Sequence, residues 1–357
     1  MLISGTKHES LALKELIKQL RAGIDLWPDQ VREAAAGLAD PGVPEALKAD
    51  FLLALKEKGE SGTELGYFAC SFLELAVRPV LDLNNKPSVD IVGTGGDRLE
   101  LINVSTTCTF LLAAAGVVVL KHGNRAITSR SGAADLLEVL GIAIDAPPER
   151  MADCIHQTGF GFFFAPLYHP SFRVIAPVRR KLAEEGISTV FNLLGPLLNP
   201  AMPAYQLTGV FSPAILERYA VALRELGRSC AWVVHGQVPD RSGMDEISLL
   251  GATEVHEVTA NSFNRFSVLP AELGFRRPML DELRGGDAAH NAALLIEILA
   301  NRDRSAKRDL IIINAAAGLM VSGQVSGMES GIQMANELLN SGLALEKLRQ
   351  IQRFFSR

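Results

Sequence analysis

Apolar residues recur at helical spacing near the start of the chain: Leu11, Leu13, Leu16, Ile17 and Leu20 mark an amphipathic helix that Gly23 ends. Pro28 and Asp29 suit the first turn of a second helix, Pro44 opens a third that runs to about Lys58, and a fourth covers Thr63 to Val77. The segment up to residue 80 therefore predicts helices alone. Leu65, Phe68, Phe72 and Leu73 give it more apolar face than a small bundle buries by itself, which predicts a subunit interface, with packing within the chain as the alternative.

After Pro87 the period shortens. Val89 to Val92 is a β-rich run ending in a glycine turn, and Val117–Leu120, Gly161–Phe164, Gln206–Phe211 and Ala231–Val234 are further such runs. Helical patterns lie between most of them, over Ser105–Ala115, Ser131–Leu140, Glu149–Gln157 and Pro213–Leu226. Strands alternating with helices predict a mostly parallel sheet with helices on its faces. His169 to Leu182 adds a helix too long for a loop, expected to pack back on the N-terminal bundle. No internal repeat or low-complexity tract interrupts the pattern.

With 357 residues there is room for about two domains. Hydrophobic residues at 48% against 21% charged mark an ordered globular chain. Asp and Glu number 40 against 35 Lys and Arg, and the resulting charge of -5 argues against a protein whose task is coating nucleic acid. Cys70, Cys108, Cys154 and Cys230 form no C-x-x-C pair, which argues against a zinc knuckle or a redox dithiol. The N-terminus lacks a signal-peptide pattern, and the most apolar stretch, Thr106–Leu120, is too short for a membrane helix and is interrupted by Gly116. A cytoplasmic location is expected.

Four segments carry candidate chemistry. In Asp90–Asp97 a strand runs into Gly93, Thr94, Gly95 and Gly96, where missing Cβ atoms let backbone N–H groups approach a phosphate or pyrophosphate. The spacing is neither the dinucleotide fingerprint nor the P-loop, and a plain tight turn is the alternative. Asn103–Thr106 precedes a helix with Ser105 as the expected N-cap, a geometry that also gathers hydroxyls and free N–H groups around an oxyanion. Lys121, His122, Gly123, Asn124 and Arg125 form a polar run at a strand end, where open α/β sheets place ligands; a solvated charge run is the alternative. There Lys121 and Arg125 supply charge, and Ser129 and Ser131 are expected to start the next helix. Asp245 and Glu246 are adjacent carboxylates that converge on Mg²⁺ in a turn, or else make a surface pair.

An ordered series of segments resembles the anthranilate phosphoribosyltransferase family of tryptophan biosynthesis. It comprises GTGGD (Gly93–Asp97), NVST (Asn103–Thr106), KHGNR (Lys121–Arg125) and SG-AD-LE-LG (Ser131–Gly141), then FAPLYHP (Phe164–Pro170), APVRR (Ala176–Arg180), FNLLGPLLNPA (Phe191–Ala201) and DEIS (Asp245–Ser248). KHGNR and FNLLGPL in this order are the specific part, and the series spans residues from about 85 to 250.

The resemblance implies an α/β fold class. A small all-helical domain, residues 1–80 plus 168–190, would be hinged to a larger α/β domain, 81–167 plus 191–357, with a central mostly parallel sheet. It implies homodimers through the helical domain. It also implies transfer of 5-phosphoribosyl from phosphoribosyl pyrophosphate (PRPP) to the amino group of anthranilate, with Mg²⁺ at two ions per subunit. By position, Gly93, Thr94, Gly95, Gly96, Asp97, Asn103, Ser105, Thr106, Lys121 and Ser129 would hold PRPP. Gly93, His122, Asn124, Pro166, His169, Phe172 and Arg179 would line the anthranilate channel, with Arg179 facing its carboxylate. Ser105, Asp245 and Glu246 would serve the metals, and Lys121 and Arg179 would be catalytic. Neither a membrane nor nucleic acid is an expected partner.

Three places depart from the family pattern. Arg98 follows GTGGD where glycine is usual, Ala133 replaces a usual serine, and Lys181–Val190 is longer than the common spacing. Other readings share parts of the pattern. A pyrimidine nucleoside phosphorylase has the two-domain plan but lacks the HGNR run, and a relative could instead bind nucleic acid or take another aromatic acceptor.

Overall fold

The computed structural model describes residues 2–84, 86–126 and 130–356. The chain opens with α1 (Leu2–Arg21), α2 (Pro28–Ala39), α3 (Glu45–Lys58) and α4 (Gly62–Glu74). Ser61 and Glu64 cap α4 reciprocally. The Ser61 hydroxyl accepts the Glu64 N–H at 3.2 Å, and Glu64 Oε2 accepts the Ser61 N–H at 2.9 Å. The buried Glu64 carboxylate also takes Lys58 Nζ at 2.6 Å and the Leu26 N–H at 2.9 Å, so one side chain ties the α1–α2 and α3–α4 junctions together.

Next come β1 (Ser88–Gly93), α5 (Val104–Ala114), β2 (Val118–Gly123), α6 (Ala133–Val139), α7 (Pro148–Thr158) and β3 (Phe160–Phe164). Short α8 (Ala165–Tyr168), α9 (Phe172–Glu184) and α10 (Phe191–Leu194) follow. The sheet resumes with β4 (Tyr205–Gly209), α11 (Leu216–Glu225), β5 (Cys230–Gly236), β6 (Thr253–Thr259) and β7 (Phe263–Val268). Helices α12 (Ala288–Leu299), α13 (Ala306–Val321), α14 (Met328–Asn340) and α15 (Leu343–Phe355) complete the chain. Among the described residues, no helix is long and apolar enough to cross a membrane.

The seven strands form one sheet in the order β3-β2-β1-β4-β5-β6-β7. The first five are parallel and the last two antiparallel, so the expected mostly parallel sheet is present with two added edge strands. Chain order reverses between β1 and β4, which places a topological switch point at their C-terminal ends. Alternate residues of β5 feed two cores. Trp232 and Val234 join the one built with α5, α7 and α12–α15, whereas Ala231 and Val233 join the one shared by α11 and the helical bundle.

That second core corrects one expectation. Leu65, Phe68, Phe72 and Leu73 are buried within the chain itself and are not the residues a partner subunit would meet. Phe68 meets Phe51, while Phe72 lies against Phe172 of α9 and Phe191 of α10, each at 5.3 Å between ring centres. The partners of Phe72 come from segments distant in sequence, which an isolated bundle does not contain.

Helices α4 and α11 approach closely because α4 presents glycines to α11. A Cβ on Gly62 would stand 2.7 Å from Val221 Cβ and 2.9 Å from the Arg218 carbonyl oxygen, and one on Gly66 would stand 2.6 Å from Glu225 Cβ. Alanine normally favours a helix over glycine by up to about 1 kcal/mol, but here the overlap with backbone outweighs it. Gly62→Ala is expected to lower the unfolding free energy by about 1–3 kcal/mol, measured by urea titration. An unchanged or raised midpoint would contradict the close approach.

Candidate active site

The switch point is built on two facing glycines. Gly93 ends β1, Gly209 ends β4, and they are register partners across the parallel pair. Asp245 occupies the space their side chains would fill. A Cβ on Gly93 would lie 2.3 Å from Asp245 Oδ2, and one on Gly209 only 1.6 Å from the Asp245 carbonyl oxygen. From this seat Asp245 Oδ2 accepts the Gly95 N–H at 2.7 Å, while the Thr94 N–H donates to the Gly209 carbonyl at 2.9 Å. Gly95 and Gly96 turn with φ of +68 and +91, conformations that glycine adopts without strain.

The segment carrying Asp245 and Glu246 is anchored on both sides. Met244 and Gly236 exchange two backbone hydrogen bonds, and Ile247 exchanges two with the buried Asn314 side chain of α13. The Glu246 carboxylate lies beside the Ser105 N–H in the first turn of α5, so the expected metal set of Ser105, Asp245 and Glu246 is brought together. Asp97 joins it within hydrogen-bond reach of Asp245. Burial first, then the neighbouring Asp97 charge, pushes the Asp245 carboxyl up to about 7. Burial and Asp245 push Glu246 well above the usual carboxylate range. Carboxylates held this close favour a cation, and hard oxygen donors suit Mg²⁺. Among the described residues, no three His, Cys, Asp or Glu side chains form a ready metal cage.

The KHGNR run is solvated only at its end, where Asn124 and Arg125 are exposed. Strand β2 continues through Gly123, and Lys121 and His122 are buried within it. Lys121 Nζ donates to the Ile91 carbonyl at 2.7 Å and reaches Ser105 Oγ at 3.4 Å, so its charge stands directly behind the acidic pair. Burial lowers its pKa, against the opposing pull of Asp90 and Glu246. Arg125 is not free to meet a ligand, because it pairs with Asp135 and Glu138.

Several expected helix starts also shift. The N-cap of α5 is Asn103, and Ser105 lies inside the first turn. Asn103 works as a brace: its amide nitrogen donates to the Ser131 carbonyl, and its amide oxygen accepts from Ser131 Oγ at 3.0 Å and Asn291 Nδ2 at 2.8 Å. Helix α6 begins at Ala133 after Gly132, so Ser131 does not start it. Ser129 lies outside the described residues. Thr106 is buried in the first turn of α5.

A second pocket wall is aromatic. His122 and His169 meet edge to face at 5.4 Å, and His169 stacks obliquely on Phe172 at the same distance. His169 Nε2 donates to the Leu198 carbonyl at 2.8 Å, which fixes its tautomer and leaves Nδ1 with a lone pair. Among the described residues, that Nδ1 and His122 Nε2 are both buried without a hydrogen-bond partner. Burial pushes the two imidazoles down to about 3 for His122 and about 4 for His169, so both are neutral at pH 7. Arg179 lies 5.0 Å over the Phe191 ring, its guanidinium partly desolvated. Asn124 and Pro166 follow the paired ends of β2 and β3, where Gly123 faces Phe164.

Residues without a predicted role hold this arrangement. Asp90 is fully buried and accepts Asn199 Nδ2 at 2.8 Å, and Asn199 also donates to the Leu120 carbonyl at 2.6 Å. A carboxylate inside the apolar run Val89–Val92 was the available signal for Asp90. Gly209, Asn291 and Asn314 offer none in the sequence alone.

The chain matches two family models: the helical bundle domain of a glycosyl transferase family over residues 14–76, and the a/b domain of a glycosyl transferase family over residues 85–345. It is 42% identical over 341 residues to an anthranilate phosphoribosyltransferase of Rubrobacter xylanophilus, covering 96% of this chain and 97% of that one. A crystal structure of the Thermus thermophilus anthranilate phosphoribosyltransferase superposes with a TM-score of 0.87 at 40% identity, covering 96% and 99% of the two chains. The Saccharomyces cerevisiae anthranilate phosphoribosyltransferase in complex with PRPP and Mg superposes with a TM-score of 0.85 at 27% identity, covering 96% and 98%.

The histidine pair has a measurable consequence. In the unfolded chain both imidazoles take up protons near pH 6.5, but in the folded chain only near 3 and 4. Their contribution to stability is complete above pH 6.5 and is lost progressively as the pH falls toward 4. The raised carboxyls act in the opposite sense, so the effect is read by difference. The double variant His122→Asn/His169→Asn is expected to lose less stability than the parent between pH 7 and pH 5, by roughly 2–4 kcal/mol. Parallel stability–pH curves from denaturant titrations would contradict the burial of neutral imidazoles.

Proposed function

The chain belongs to the glycosyl transferase family that joins a helical bundle to an α/β domain, among its anthranilate phosphoribosyltransferases, and from that membership we infer that it transfers the 5-phosphoribosyl group of PRPP to the amino group of anthranilate. The bond from C1′ to the pyrophosphate oxygen breaks, the N–C1′ bond forms, and the amine nitrogen sheds a proton. The observation that carries this reading is the seat of Asp245 over Gly93 and Gly209, which sets carboxylates beside a glycine turn at the switch point.

The residues divide the work between two ends. Gly93, Thr94, Gly95, Gly96 and Asp97, with Asn103, Ser105 and Thr106, border the PRPP subsite. Lys121 places a buried positive charge behind it, where charge develops on the departing pyrophosphate. Mg²⁺ held by Asp245, Glu246 and Ser105, at two ions per subunit, supplies neutralisation of that charge when bound. At the other end Arg179 has a desolvated guanidinium suited to the anthranilate carboxylate, and Phe172 gives the ring an aromatic wall beside His122 and His169. Asn124 and Pro166 form the outer rim. An aromatic amine is neutral at pH 7 and attacks without a strong base, so positioning replaces proton abstraction. The enzyme acts in the cytoplasm as a homodimer through its helical domain, where Leu11, Ile24 and Trp27 remain exposed, and a hinge between the two parts admits the acceptor.

Anthranilate fluorescence is expected to decay only when protein, PRPP and Mg²⁺ are all present. Persistence with all three would overturn the assignment. Arg179→Gln is expected to raise the KM for anthranilate about tenfold or more while leaving that for PRPP unchanged. His122→Ala is expected to keep turnover within about tenfold of the parent. Abolished turnover with PRPP still bound would instead identify His122 as an essential base.

A further inference from the structure

Arg98 holds a backbone conformation that glycine would adopt without strain, at φ +57. Its neighbours fix it there. Asp97 Oδ1 accepts the Leu99 N–H at 3.1 Å, and Leu99 is buried. Behind the loop, Leu101 bridges to Arg284, and the Gly285 N–H donates to the Glu100 carbonyl at 2.8 Å. Glu100 is also left-handed, at φ +54, but its carboxylate meets Arg284 at 3.4 Å, so its side chain has a use within the fold. Arg98 has none. Its side chain makes no hydrogen bond or ion pair with any described residue.

Its position explains what it is free to do. Arg98 follows the Gly95–Gly96 turn by two residues, on the lip of the subsite where Asp97, Asp245 and Glu246 gather. Two other cations near the site are engaged, Lys121 with the Ile91 carbonyl and Arg125 with Asp135 and Glu138. A guanidinium presents paired donors that match two oxygens of a diphosphate. We propose that Arg98 is a pyrophosphate-binding residue, gripping the leaving diphosphate from the solvent side of the glycine turn. The inference rests on the PRPP reading above.

Calorimetry on the full chain with Mg²⁺ and inorganic pyrophosphate, PRPP or ribose 5-phosphate tests it. Arg98→Gly and Arg98→Asn both fit a left-handed backbone and remove the charge. Both are expected to bind pyrophosphate and PRPP about tenfold more weakly than the parent, with ribose 5-phosphate affinity unchanged. Arg98→Lys is expected to recover part of the loss, and Arg98→Gly to melt at a higher temperature than the parent. Pyrophosphate affinity within about twofold of the parent in both charge-removing variants would overturn the proposal, as would an equal loss for ribose 5-phosphate. A parent that binds neither pyrophosphate nor PRPP would overturn the PRPP reading and this inference with it, whereas a parent that binds both, with unaltered variants, overturns only the role of Arg98.

Discussion

Negative charge gathers at the top of the sheet because two strand ends carry no side chains. Any residue larger than glycine at position 93 or 209 would displace Asp245, whose carbonyl and carboxylate fill that space. The carboxylate then meets the Gly95 N–H, the Asp97 carboxyl and, through its neighbour Glu246, the first turn of α5. The glycine turn, the helix start and the acidic pair thus become one site through a single steric allowance. Without it they would be three separate surface features.

The polar scaffold beneath serves the same end. Asn314 reaches from α13 to both backbone groups of Ile247, and Asn103 links α5 to the loops that carry Ser131 and Asn291. Asp90 and Asn199 tie β1 to β2 and to the segment after α10. These side chains exchange water for protein partners inside the fold, and leaving any one unpaired would be costly in that environment. They hold the reacting surfaces in place without lining them, which accounts for their distance from any recognisable motif.

Local pattern made much of this legible. The helices of the N-terminal segment, the strands leading to Gly93 and Gly123, and the acidic pair at 245–246 were all readable from period and residue type. What escaped depends on contacts far apart in sequence. Phe72 looked available to a partner because its neighbours, Phe172 and Phe191, lie about a hundred residues later. The burial of Lys121 and His122 was not legible because polar residues usually end a strand, yet the sheet continues and buries them. Gly209 carried no signal at all, since its value comes only from facing Gly93.

The glycine seats on α4 place a lasting limit on how this protein can diverge. Positions 62 and 66 on one helix and 218, 221, 222 and 225 on the other share one volume. A bulkier side chain on either helix requires a matching retreat on its partner. The two helices are therefore bound to drift as a unit through descent, although more than 140 residues of chain separate them.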